Sequence, residues 1–295
     1  MSLSLLHKQF CQYKTTFENL SPRTIEWHEY FFRSFLGCSK LNEVKQITRA
    51  SVEQWIVWGR TVRNWSPKTA KNGLVSINVF LNWCVDQNKI IENPAKKIPK
   101  PKLPKKIPKH LSLEQAEKLL LWVQHFKYKY DYEKNRAVAI VAMFIYSGLR
   151  VQELRNLTLE DVDFTNKVIA VHAGKGDKDR MIPLSSTLKG YLQPYLFERV
   201  KTNPYSIYFF VSRDAKGKLS EKAFRRLISK IRDTSKIFFT PHMLRHTFAT
   251  LMLEGGCDVF SLSKMLGHSD IKTTTIYLTA TVKHLQTQIG KHPLQ

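Results

Sequence analysis

Ahead of residue 93 the apolar and aromatic side chains recur at helical spacing. Residues 25–36 carry Trp27, Tyr30, Phe31 and Phe35 three and four positions apart, the signature of one buried helix face. Residues 48–60 place Val52, Trp55 and Ile56 together, and a longer run does the same with Val75, Val79, Phe80 and Trp83. Two of these runs open alike, on Ser21-Pro22-Arg23-Thr24 and Ser66-Pro67-Lys68-Thr69. A serine can cap the first free amides, and proline suits the first helical position. The aromatics are expected to fill a core rather than to stack on a ligand.

The pattern breaks at residues 93–110. Pro94, Pro99, Pro101, Pro104 and Pro108 cannot continue a helix, and the intervening lysines keep the segment solvated. This is a stiff basic linker. Beyond it the periods change. Residues 112–125 read as a helix capped by Ser112 and Gln115. Residues 137–146 are apolar throughout, too short to cross a bilayer, and read as a buried helix ending at Ser147-Gly148. A short helix is expected at 151–156. Residues 167–172 and 180–184 read as strands joined by a glycine-bearing hairpin. A further strand is expected at 206–211, then helices from Ser220 onward. The expected fold is mainly α with a small antiparallel β-sheet. Four segments follow: a helical domain (1–95), the linker (96–110), a second domain (111–277) and a tail (278–295).

Charge narrows the function. Lys and Arg number 47 against 24 Asp and Glu, a formal net charge of +23. Such an excess fits a polyanion, because each phosphate contact releases condensed counterions. Basic side chains near helix starts and in the linker are candidate backbone contacts: Arg23, Lys68, Lys71, Lys102, Lys105 and Lys106. Cys11, Cys38, Cys84 and Cys257 are widely spaced with no CxxC pair, so reduced thiols are expected rather than a zinc ribbon or disulfide frame. The first ten residues lack the apolar stretch of a signal peptide. A cytoplasmic protein with no membrane partner is expected.

Four separated segments carry candidate chemistry. In SGLRVQEL, Gly148 ends one helix and Arg150 opens the next, where its guanidinium adds to a helix N-terminus as an anion site. Glu153 lies three residues on and can orient it, although a surface ion pair is the default explanation of that spacing taken alone. In GKGDKDR, Lys175 stands between glycines at a hairpin tip, free to reach a ligand or simply to be a basic turn. In TPHMLRHTFAT, Thr240 and Pro241 start a helix with His242, Arg245 and His246 in its first turns. The two histidines lack the adjacent glutamate of a zinc HExxH site, Met243 standing there instead, so an Arg-His face for phosphate fits better. In LGHSDIKTTTIYL, Gly267 ends a helix, His268 follows in a loop, and Thr273 to Thr275 can cap a short helix carrying Tyr277.

Taken in order, GLRVQEL, GKGDKDR, HMLRH, LGH and the downstream tyrosine resemble the catalytic domain of the tyrosine recombinases, or phage integrase family. The first half matches in size and helical character a SAM-like core-binding domain. The resemblance implies a site-specific recombinase that cuts and rejoins double-stranded DNA through a 3′-phosphotyrosine. It implies that Arg150 and Arg245 clamp the scissile phosphate and that His268 donates to it. His242 would act as acid or base at the nucleophile Tyr277, and Lys175 would protonate the leaving 5′-oxygen. Glu153 would support the site, and His246 would pack within its helix. No metal or other cofactor is expected: no acidic cluster suits magnesium and no GxxxxGK[ST] loop is present. Val282, Leu285 and Ile289 recur at helical spacing in the tail, which in such proteins docks on a neighbouring protomer, implying a tetramer on two DNA sites. With no room for an arm-binding domain before the first helices, the chain resembles compact Xer-like or mobile-element members. It departs from many of them in having Leu278-Thr279, and no histidine, directly after the tyrosine. The alternatives are a type IB topoisomerase and a DNA-binding relative without catalysis. The intact residue set argues against the second.

Overall fold

Hydroxyl caps set where the first helices begin. The computed structural model describes residues 2–103, 108–172, 179–202, 204–212, 217–268 and 272–277. The chain divides into two compact units, residues 1–105 and 106–295, each built on its own apolar cluster.

The first unit holds α1 (Leu3–Thr16), α2 (Pro22–Ser39), α3 (Arg49–Thr61) and α4 (Pro67–Asp86). Ser21 and Ser66 accept from the amides of Thr24 and Thr69, and each is followed by a proline in the first turn. Thr48 and Ser51 form a reciprocal capping box on α3. Most of the aromatics are core, as the periodicity requires, but Tyr30 is exposed. Phe35 and Trp55 meet edge to face at 5.5 Å, Trp55 and Trp65 at 5.4 Å, and the Trp55 indole donates to Ser34 Oγ. Helix α1 was not singled out from the sequence, although Ser2 caps it and Leu3, Leu6 and Phe10 recur at helical spacing. It forms because Leu3, Leu6 and Phe10 bury against this cluster. Within the segment expected as linker, Ile98 is buried in the first unit's core. Arg23, Lys68 and Lys102 are exposed and Lys71 half-buried, whereas Lys105 and Lys106 lie outside the described residues.

The second unit contains α5 (Leu113–His125), α6 (Asp131–Ser147), α7 (Val151–Asn156), β1 (Val162–Asp163), β2 (Val168–Val171), β3 (Arg180–Pro183), α8 (Ser186–Thr202), α9 (Glu221–Ser235), α10 (Pro241–Glu254), α11 (Val259–Leu266) and α12 (Lys272–Thr275). Helix α6 is buried continuously from Ala137 to Ile145, with α5, α8 and α10 packed around it. An all-round apolar helix is stable only when enclosed in this way. The antiparallel sheet runs β1-β2-β3, with Ile169 paired to Ile182 on the core face. Helix α8 escaped the sequence pattern because Pro194 sits inside it. Burial of Leu188, Leu192 and Tyr195 offsets the backbone bond that a proline forfeits.

The strand expected at 206–211 is absent. Only isolated bridges join Thr158 to Tyr208 and Val211 to Lys218. Phe209, Phe210 and Val211 are nevertheless fully buried, so their backbone must find partners elsewhere. Neighbouring backbone supplies some, Phe209 N donating to Leu157 O and Leu219 N to Phe210 O, and side chains supply the rest. Tyr132 and Arg136 donate to the Val211 carbonyl, Tyr195 donates to that of Phe209, and Arg199 donates to those of Ser206 and Tyr208.

Gly148 ends α6 in the left-handed region at φ 61°, and a Cβ there would lie 2.3 Å from Phe248 Cδ1. Gly148→Ala therefore combines a backbone penalty with a clash and is expected to destabilise by about 3 kcal/mol. Gly190→Ala, mid-helix in open space, is expected to stabilise by up to about 1 kcal/mol. Urea midpoints of the two variants check this, and equal shifts would refute the packing account.

Candidate active site

Glu153 stands at the centre of the site, with a side chain only 8% exposed. One carboxylate oxygen accepts from the Arg150 backbone amide at 2.7 Å, and the other from Arg150 Nη1 at 2.9 Å. Arg180, on β3, meets the same carboxylate with both terminal nitrogens at 2.8 Å. Arg245 Nη1, from α10, comes to 3.9 Å. Burial alone would push the Glu153 carboxyl up. The Arg180 hydrogen bonds, the Arg150 amide and the charges of both guanidiniums outweigh it and hold the pKa at about 2.

A helix end completes the cradle. Helix α11 stops at Gly267, in the left-handed region at φ 67°. Its last carbonyls lack intrahelical partners and carry the negative end of the helix dipole. Three arginines fill them in turn: Arg180 Nε donates to Met265 O at 2.8 Å, Arg245 Nη2 to Leu266 O at 2.7 Å, and Arg150 Nη2 to Gly267 O at 3.4 Å. Glycine is required at 267 on two counts, since a Cβ would lie 2.8 Å from Arg180 Cδ. Arg245 Nη1 also donates to Gly148 O at 2.7 Å, tying the site to the end of α6. Burial and the neighbouring Arg150 charge pull the Arg245 pKa down to about 10, against the opposing pull of Glu153. Three guanidiniums thus gather around one carboxylate, a cluster suited to an anion.

His268 and Tyr277 close the other side. Arg245 Nη2 lies 3.2 Å from His268 Nε2, and His268 Nδ1 lies 2.8 Å from Thr274 Oγ1. A guanidinium only donates, so in this arrangement Nε2 accepts and Nδ1 carries the hydrogen given to the threonine. Nε2, which faces Arg245, is thereby an acceptor here. Tyr277 packs among Phe248, Ala249, Leu253, Leu262 and Leu266. Its hydroxyl is 2.7 Å from His246 Nδ1.

Of the residues singled out in the sequence, Arg150, Glu153, Arg245, His268 and Tyr277 fall in this one cluster. His242 is exposed in the first turn of α10. Lys175 lies outside the described residues, as does the tail 278–295. At the base of its hairpin, His172 joins Asp161 and Asp179 at 3.1 and 3.0 Å. Two expectations are corrected. His246 does not merely pack in its helix but reaches the tyrosine. The threonines 273–275 form the body of α12 rather than its cap, and Tyr277 sits just past the helix in a turn. Arg180 was missed, although a signal existed. It lies two residues from the buried Ile182, so strand alternation points it to the same inner face.

The phage integrase family pattern matches residues 109–284, more than half the chain. The chain belongs to the phage integrase family. The pattern of the phage integrase N-terminal SAM-like domain matches residues 6–90. Among relatives of this integrase, a tyrosine recombinase XerA of Thermococcus onnurineus is 35% identical over 91% of this chain and 89% of its own. A tyrosine recombinase of Agathobacter rectalis is 32% identical over 96% of this chain and 95% of its own. The integrase is a tyrosine-type site-specific recombinase. Its fold is shared with XerH site-specific recombinase bound to palindromic difH substrate, at a TM-score of 0.77 and 21% identity, covering 96% of this chain and 83% of that one. The Tn1549 transposon integrase in complex with transposon right end DNA gives 0.74 at 22% identity over 99% of each chain.

The depressed Glu153 pKa sets a sign for pH dependence. A carboxyl held below its ordinary 4.5 stabilises the fold fully above that value, and the contribution is lost as pH falls through about 2. Glu153→Gln leaves the guanidiniums without their counter-charge and is expected to cost about 3 to 5 kcal/mol at neutral pH. The gap in thermal stability between the two proteins should close as pH approaches 2. A gap unchanged with pH would refute the charge argument.

Proposed function

We propose that the integrase binds double-stranded DNA and cleaves it by attack of Tyr277 on a scissile phosphate, forming a 3′-phosphotyrosine and releasing a 5′-hydroxyl. The observation that carries this reading is the arginine cluster around Glu153, with His268 and Tyr277 beside it. Arg150 and Arg245 take the non-bridging oxygens. The phosphate brings negative charge that Glu153 alone does not supply to three arginines, and more charge develops as phosphorus is attacked. Phosphoryl transfer depends mainly on such positioning and neutralisation. His268 donates to the same phosphate once Arg245 turns to the ligand and the ring hydrogen sits on Nε2, with Nδ1 then accepting from the Thr274 hydroxyl. His242 exchanges protons near the nucleophile from the open side of α10. Lys175 gives a proton to the departing 5′-oxygen. The new ester conserves the bond energy, so rejoining needs no nucleotide cofactor.

The solved relatives named above are bound to difH substrate and to transposon end DNA, which supports DNA as the partner here. Arg23, Lys68, Lys71, Lys102, Lys105 and Lys106 contact the phosphate backbone in this reading. Strand exchange between two sites requires an assembly, and a tetramer joined through the tail at 278–295 fits it. The relatives reported are named recombinases and integrases, which favours strand exchange over relaxation of supercoils.

Nicked suicide duplexes test the nucleophile. The protein should form a covalent DNA adduct that Tyr277→Phe abolishes; an adduct undiminished in that variant removes Tyr277 from the role. Lys175→Ala should slow cleavage about 100-fold or more on ordinary DNA. On a 5′-phosphorothiolate duplex, whose leaving group needs no proton, it should slow cleavage far less. Equal defects on both substrates would exclude Lys175 as the acid.

A further inference from the structure

His246 follows Arg245 directly on α10, so one helix presents both a guanidinium to the anion cluster and an imidazole to the tyrosine. The Tyr277 side chain is 2% exposed. Its ring meets that of His246 at 5.5 Å between centroids and a 53° tilt, with Oη and Nδ1 2.7 Å apart. That bond spans 31 positions of sequence, so it fixes one segment against the other rather than capping a local turn.

Two roles for His246 are chemically open: a base that removes the phenolic proton, or an acceptor that aims the hydroxyl. The energetics separate them. Burial, followed by the charges of His242, Arg245 and His110, holds the His246 pKa at about 4. Burial also raises that of Tyr277 above its usual 10, with Arg245 pulling it down. Complete proton transfer between them is therefore strongly disfavoured. A base so weak is poorly matched to work near neutral pH. A neutral imidazole remains a good acceptor. A phenol donating its single hydrogen to Nδ1 keeps its lone pairs outside that bond.

We propose that His246 is a positioning residue for the nucleophile: it accepts a hydrogen bond from the Tyr277 hydroxyl and fixes the direction in which Oη points. This deepens, and rests on, the reading of Tyr277 as the attacking group. His246 touches the tyrosine and acts through it.

The test uses the full chain and a nicked duplex selected from a randomised pool by covalent capture on the wild-type protein. His246→Ala should lower the rate of adduct formation at saturating duplex by about tenfold, the worth of one hydrogen bond, and leave duplex affinity unchanged. His246→Asn, whose Oδ1 can stand near the place of Nδ1, should recover most of that rate. Alanine at the wild-type rate or faster, or asparagine no better than alanine, overturns the proposal. A second reading needs neither cleavage nor a variant at His246. In the free protein the ¹⁵N resonance of His246 Nδ1 should be that of an unprotonated, hydrogen-bonded nitrogen, and should shift in Tyr277→Phe. An Nδ1 that is protonated, or unmoved by Tyr277→Phe, refutes the contact itself. If the wild-type protein captures no duplex while this shift is present, the reading of Tyr277 as nucleophile fails and the hydrogen bond stands.

Discussion

Everything in the site depends on one buried carboxylate being surrounded by guanidinium groups. Glu153 joins α7 to β3 through Arg180 and lies near α10 through Arg245, so a charge contact also serves as the joint between a helix, a strand and a second helix. Such a joint is demanding. A buried ion must be satisfied on every side, or its desolvation outweighs its attraction. Here the carboxylate takes a backbone amide and two arginines, and the arginines take carbonyls at the end of α11 and at Gly148. The constraint runs outward from there. Gly148 must turn sharply for its carbonyl to face Arg245, and Gly267 must be bare for Arg180 to pass.

Much of this was legible in the sequence, because capping and periodicity act locally. Ser21, Ser66, Ser112 and Thr240 all cap the helices that their side chains advertise. The hairpin strands and the enclosed α6 follow from alternation and from unbroken apolar character. Where tertiary contacts decide, local pattern fails. Helix α8 keeps a proline because its inner face is buried against the second unit's core, and residues 206–211 stay irregular because scattered backbone groups together with distant tyrosines and arginines satisfy their backbone.

The site divides in the same way. Arg150, Arg245, His268 and Tyr277 stand in short motifs whose residue types already suggest phosphate chemistry. Arg180 was visible only to a reading that asked which strand face it occupies. The link between His246 and Tyr277 leaves no trace in spacing, since it depends on how α10, α11 and the turn after α12 pack around Phe248 and Leu266. Residue identity marks who can do the chemistry, and packing marks who holds them.

The end of α11 bears on how such a chain can change over time. Met265 and Leu266 serve Arg180 and Arg245 through peptide oxygens, which any residue would provide. Their side chains answer only to their local packing. Drift at these two positions can therefore track repacking of the surrounding helices without disturbing the geometry of the charges, while Gly267, one residue on, is held fixed. Tolerance and intolerance sit on adjacent peptide units, separated by the path of an arginine side chain and by the left-handed turn of the backbone at Gly267.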